Sequence, residues 1–222
     1  MRHTIIADSI QDRGYPVHFR QGDLDGACGL YSLMMCLNLC GCVDDEISFA
    51  NEPDRRTQLG RLYKQFADFP ALFSGGCSLT DLQEAIARAY GRRHISTEYC
   101  EGNNRTILKF AVKHILAGHP VIFGISGSGG LEHALTASGL EFEYDNGETP
   151  DLSGITPDKI LMLDPGGCEV PPFIHWNCFV YYGLQYKGRF PYQFVRGSGE
   201  THKICFDGAL AIWSKKKGKD FS

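Results

Sequence analysis

The chain has 222 residues, 43% hydrophobic and 12% aromatic, with a net charge of −4 and a pI near 6.0. That apolar content supports an ordered globule with a large core, and the acidic balance gives no electrostatic reason to expect nucleic acid as a partner. No stretch approaches the roughly 20 apolar residues of a membrane span, and the start, Met1-Arg-His-Thr-Ile-Ile-Ala-Asp, is too short and too quickly polar for a signal peptide.

Nine cysteines, an odd number, do not describe a disulfide framework, so the expected setting is a reducing cytosol. Delivery by a dedicated secretion machine leaves no mark at this level.

In chain order, the first informative segment is Gln21-Gly-Asp-Leu-Asp-Gly-Ala-Cys28-Gly29-Leu30, which runs directly into an apolar-periodic stretch, Tyr31 to Leu39. Leu30, Leu33, Met34 and Leu37 recur at i, i+3, i+4 and i+7 and predict a helix with one face for a core. Cys28 then opens that helix, where unpaired N–H groups and the positive dipole end favour the thiolate over the thiol. Gln21, seven residues upstream, offers an amide N–H for the oxygen of a tetrahedral intermediate, beside the backbone N–H of Cys28. Asp23 or the backbone near Gly26 are alternatives for that task. The plainer reading keeps Cys28 as one more small buried hydrophobe, with Gly26 and Gly29 only shaping a turn.

Cys36, Cys40 and Cys42 follow closely, without the paired Cys-x-x-Cys and fourth ligand that a metal site needs. Thr57 to Ala67 predicts a second helix. Ser78-Leu-Thr80-Asp-Leu-Gln83 carries a capping-box pattern for a third, closed by Gly91, and Arg105 to Ala117 predicts a fourth with a glycine just beyond it.

From His119 onward the pattern is mainly strands: Val121 to Ile125, His133 to Phe142, Ile160 to Leu163, Ile174 to Leu184, and two near Ile204 and Ala211. Ser126 to Gly130 reads as a flexible loop, without the residues of a phosphate loop or a serine nucleophile elbow. The expected organisation is a helical half and a sheet half with a site in the cleft between them.

A thiol nucleophile needs an imidazole, and the imidazole needs a carboxylate or amide to fix its tautomer. His133 opens one strand and Asp164, in Asp164-Pro165, closes another. Neighbouring antiparallel strands can bring them together, and an aspartate ending an apolar strand calls for a partner to its charge. A strand-end Asp-Pro turn and a loop-capping histidine are the structural alternatives. His175, near Asn177, is the rival histidine.

The order Gln21, Cys28, His133, Asp164 resembles that of the papain-like cysteine peptidase superfamily. Within it, the chain is most similar to the stand-alone relatives of the bacterial bacteriocin-processing (double-glycine) peptidases. The residues that carry the resemblance are Val17-His-Phe-Arg-Gln21, Cys28-Gly29, Gly118-His-Pro-Val121, His133-Ala134 and Asp164-Pro165. It implies an α+β papain-like fold, a helical half packed on an antiparallel β-sheet half, as a single domain over 1–214 followed by a basic tail, 215–222.

It also implies Cys28 as nucleophile, His133 as general base and acid, Asp164 as its orienting group, Gln21 as oxyanion donor, and no cofactor. The implied substrate is a protein or peptide, with small residues such as Gly-Gly before the cut, hydrolysed at a peptide or isopeptide bond through an acyl-enzyme. Within the same chemistry an amine can resolve the acyl-enzyme, giving an acyltransferase, transglutaminase or deamidase. A non-catalytic binding module is the alternative from another class. The acidic insert Glu141 to Pro157, which lengthens the His133 to Asp164 spacing to 31 residues, is either a lid or a solvated loop.

Overall fold

The computed structural model describes residues 3–8, 17–21, 27–42, 54–67, 76–91, 94–144, 156–168, 176–183 and 185–215. His175, Asp23, Gly26, most of the 141–157 insert and the tail beyond Lys215 lie outside them. The described residues include four helices: α1 (Cys28–Leu39), α2 (Gln58–Ala67), α3 (Leu79–Tyr90) and α4 (Asn104–Leu116). The strands are β1 (His3–Asp8), β2 (Ile95–Cys100), β3 (Val121–Gly127), β4 (Glu132–Tyr144), β5 (Lys159–Leu163), β6 (Cys178–Tyr181), β7 (Tyr192–Arg196) and β8 (Thr201–Ser214).

The helix signals act as the sequence suggests. Ser78 and Asp81 form a reciprocal box at the start of α3, with the Asp81 amide donating to Ser78 Oγ at 3.1 Å and the Ser78 amide to Asp81 Oδ2 at 2.9 Å. Asn103 caps α4 by accepting from the Thr106 amide at 3.0 Å. The segment 126–130 is no slack loop. It is the β3–β4 hairpin turn, closed by Gly127 N donating to Leu131 O at 2.7 Å, with Gly129 and Gly130 taking the positive φ the turn requires.

The strands do not form one open half. All pairings are antiparallel, and β4 uses one edge for β3 and the other for β5, so β4, β3, β8, β7, β6 and β5 close into a six-stranded barrel. β1 continues the sheet along β4, and β2 continues it along β8. This closed barrel replaces the papain-like arrangement of a helical half on a sheet half, which is therefore corrected.

The physical reason lies in the two long strands. β4 and β8 are each long enough to serve several neighbours, and bulges at Ser138 and Asp207 supply the bend that closure needs. The two strands expected near Ile204 and Ala211 are this one strand, β8.

Alternate barrel residues converge on an interior cluster, among them Phe123, Leu135, Met162, Val180, Phe194 and Phe206. The apolar stripe of α4, Ile107, Leu108, Ala111 and Ile115, joins that cluster. The other face of β3, β4 and β8, through Ile122, Ala134, Leu210 and Ile212, packs against α1, α2 and α3. The helices therefore separate into two groups instead of forming a single helical half.

α1 differs from its expected one-faced character. Every residue from Ser32 to Leu39 is buried, so its apolar sequence covers the whole circumference. Two buried side chains fix its position against β4. Ser32 Oγ donates to Ala134 O at 3.1 Å, and Thr136 Oγ1 donates back to Ser32 O at 2.9 Å. Thr136→Val keeps the shape and removes one of these bonds. It is expected to destabilise the protein by about 1–3 kcal/mol, read as a lower urea midpoint with an unchanged slope.

Candidate active site

In an antiparallel ring the end of each strand lies beside the start of the next, so one rim collects residues far apart in sequence. Here that rim carries His133 near the start of β4, Asp164 just beyond β5, Asn177 just before β6, Arg196 at the end of β7 and Glu200 just before β8. The first turn of α1 reaches the same rim and brings Cys28 beside His133, close enough for the ring to act on the acidity of the thiol. The site thus lies at a barrel rim and not in a cleft between two halves. A hollow of about 440 Å³ is found elsewhere, between α3 and β2, lined by Gln83, Ile86 and Thr97 among others.

His133 Nε2 lies 2.6 Å from Asp164 Oδ1. A carboxylate only accepts, so Nε2 carries a proton and Nδ1 is the ring nitrogen left for the sulfur. Asp164 has no exposed surface. Its other oxygen accepts from Arg196 Nε at 2.9 Å, and the Gly166 amide donates to Oδ1 at 2.8 Å. Arg196 in turn reaches Glu200, and Glu200 reaches His202.

The backbone around the carboxylate is held as closely. Asn177 Oδ1 accepts from the Asp164 amide at 2.6 Å, while its Nδ2 donates to the carbonyls of Asp164 and Cys168, both at 3.0 Å. His18 Nε2 donates to Asp164 O at 2.8 Å. Gly167 makes room for this arrangement, since a Cβ there would meet Asn177 Nδ2 at 2.7 Å.

Three groups thus shift together. Burial opposes ionisation of Asp164, but the hydrogen bond and charge of His133, with Arg196 and the Gly166 amide, hold it below its ordinary 3.8. Burial likewise pushes His133 down, and is outweighed by its bonds to Asp164 and Cys28, so that the ring is pushed up to about 9. Burial raises Cys28, yet the hydrogen bond and charge of His133 and the backbone at Ala134 and Gly29 bring it below its ordinary 9.0. Ala27 supplies no side-chain cap to α1, which leaves first-turn N–H groups to face the sulfur.

Gln21 is placed on the same rim through its main chain, whose N–H donates to Pro165 O at 2.8 Å. The connection from residue 22 to 26 lies outside the described residues. The cysteines after α1's first turn are packing residues: Cys36 is fully buried, and the Cys40 thiol donates to Ile212 O at 3.1 Å. Among the described residues no helix is long and apolar enough to cross a membrane.

Arg196, Asn177 and His18 have no signal of their own in the sequence. Ser32 and Thr136 do have one, as isolated polar residues inside apolar runs, the pattern of a buried hydrogen-bonded pair. No protein-family model and no curated protein matches the chain, so the geometry of this rim carries the functional reading.

In an NMR titration the His133 ring is expected to lose its proton near 9. In Asp164→Asn one of the two groups that raise it is gone while Cys28 remains, so the midpoint is expected to fall below about 9; an unmoved midpoint would contradict this account of the pair.

Proposed function

We propose that the protein is a cysteine hydrolase acting on a peptide or isopeptide bond, with Cys28, His133 and Asp164 as its triad. The observation that carries this reading is His133 held between a carboxylate with no exposed surface and a thiol at a helix start. The opposed shifts of Cys28 and His133 favour a thiolate–imidazolium pair at neutral pH, the form in which a thiol attacks a carbonyl.

In this mechanism the Cys28 sulfur adds to the carbonyl carbon. The resulting oxyanion is met by the backbone N–H of Cys28 and the amide N–H of Gln21. His133 then gives its proton to the nitrogen as the C–N bond breaks, leaving an acyl-thioester. An amine departs only when protonated, and a ring that stays charged up to about 9 suits that step. Neutral His133 next takes a proton from water, which attacks the thioester and releases the acid. Asp164 keeps the ring's tautomer and orientation throughout.

A peptide or protein with small residues before the cut is the substrate class that goes with this proposal. The nine cysteines are all free thiols, in keeping with a reducing setting for the enzyme.

Cys28→Ala is expected to abolish turnover of a peptide or isopeptide substrate while the circular dichroism spectrum stays that of the wild type; turnover by that variant would sink the assignment. The rate of iodoacetamide labelling at Cys28 should rise with pH to a midpoint below 9.0, and in His133→Ala that midpoint should move upward. Turnover should decline on the alkaline side as His133 loses its proton near 9. Product mass separates hydrolysis from transfer to an amine.

A further inference from the structure

A second sulfur stands beside the proposed nucleophile. Cys77 immediately precedes Ser78, the cap of α3, and its Sγ is seated against Gly29, where an added Cβ would come within 2.6 Å of it. Gly29 follows Cys28 in the first turn of α1. The starts of α1 and α3 therefore meet with one thiol on each. Both cysteines are half-buried and pack against the same apolar cluster under α1. Only a glycine at position 29 leaves the slot that Cys77 occupies.

The two thiols have opposite character. Cys28 is drawn toward the thiolate by His133, as described above. Cys77 is pushed up to about 12, by burial first and then by the charges of Cys28 and Asp81. One sulfur is thus open to attack on an oxidant, and the other is an inert thiol held close to it.

We infer that Cys77 is the resolving partner of Cys28, and that hydrogen peroxide converts the site reversibly into a Cys28–Cys77 disulfide. The inference rests on the reading of Cys28 as a reactive thiolate. In the first step the Cys28 sulfur attacks one peroxide oxygen. The S–O bond forms and the O–O bond breaks, and the departing hydroxide takes the His133 proton to leave as water. Cys28 is now a neutral sulfenic acid, so the charge that helped keep Cys77 protonated is gone.

In the second step the Cys77 thiol passes its proton to His133, and its sulfur attacks that of Cys28. The S–S bond forms and the S–O bond breaks, and the hydroxide released recovers the proton and leaves as water. In sum, two thiols and one peroxide give one disulfide and two waters; sulfur is oxidised and peroxide reduced. A dithiol reverses it by exchange. The disulfide blocks the nucleophile and shields it from irreversible oxidation to sulfinic acid.

The test uses the full chain. Wild-type protein is treated with several equivalents of hydrogen peroxide, enough to carry an unprotected thiol past sulfenic acid, remaining thiols are blocked with iodoacetamide, and a non-reducing digest is mapped by mass spectrometry. The expected result is a Cys28–Cys77 cross-linked peptide and loss of Cys28 labelling that dithiothreitol restores. Cys77→Ser should label at Cys28 like the wild type before oxidation and lose that labelling beyond recovery afterwards.

Wild-type protein in which Cys28 becomes sulfinic acid while Cys77 remains a thiol would overturn the inference and leave the proposed hydrolase intact. A Cys28 that labels no faster than an ordinary thiol would instead remove the reading on which it rests. The wild-type map decides the matter even where the Cys77 variant folds poorly.

Discussion

The structure turns on a carboxylate that has no contact with water. Taking an ionised carboxyl group into a protein interior is strongly unfavourable unless every lone pair finds a partner, and removing one member of such a pair costs about 3–5 kcal/mol. Asp164 meets that condition through His133, Arg196 and the Gly166 amide, while Asn177 and His18 hold its backbone. Two cations serve one anion here, with different roles. Arg196 is permanently charged and occupies Oδ2, so Oδ1 is left for His133 in a fixed direction.

The thiol enters from a separate part of the molecule, and its mounting follows the same logic of constraint. α1 is apolar around its circumference because it lies between the barrel wall and the other helices, with little freedom to rotate or slide. Ser32 and Thr136 then choose one position among those that apolar packing alone would allow. Packing supplies most of the stability and two hydrogen bonds supply the register. Because Ala134 and Thr136 lie on the strand that begins beside His133, that register is also the alignment of sulfur with ring.

The helices were legible because their signals are local. Ser78 with Asp81, and glycine at 91, mark ends that any neighbour would leave in place. Cys28, His133 and Asp164 were legible because each breaks the pattern of its own element: a thiol at a helix start, a histidine near the start of one apolar strand and an aspartate just past the end of another. The barrel was not legible. Closure depends on β4 pairing with β5 across a long insert, and alternation reads the same in an open sheet and a closed one. β1, β2 and β7 were missed for the related reason that short strands with polar residues are shaped by the partner they join. Arg196 and Asn177 sit in turn-rich stretches where charge and amide are ordinary, and only the ring brings them to the carboxylate.

The alternation of strand ends around one rim has a consequence for biosynthesis. Cys28 emerges from the ribosome early, whereas the groups that set its acidity through His133 and Asp164 extend as far as residue 196. Pairings of such sequence separation form late, since loop closure must precede any reward from the contact. A half-made chain therefore carries a sulfur of ordinary acidity, and its shift arrives only when the barrel is shut.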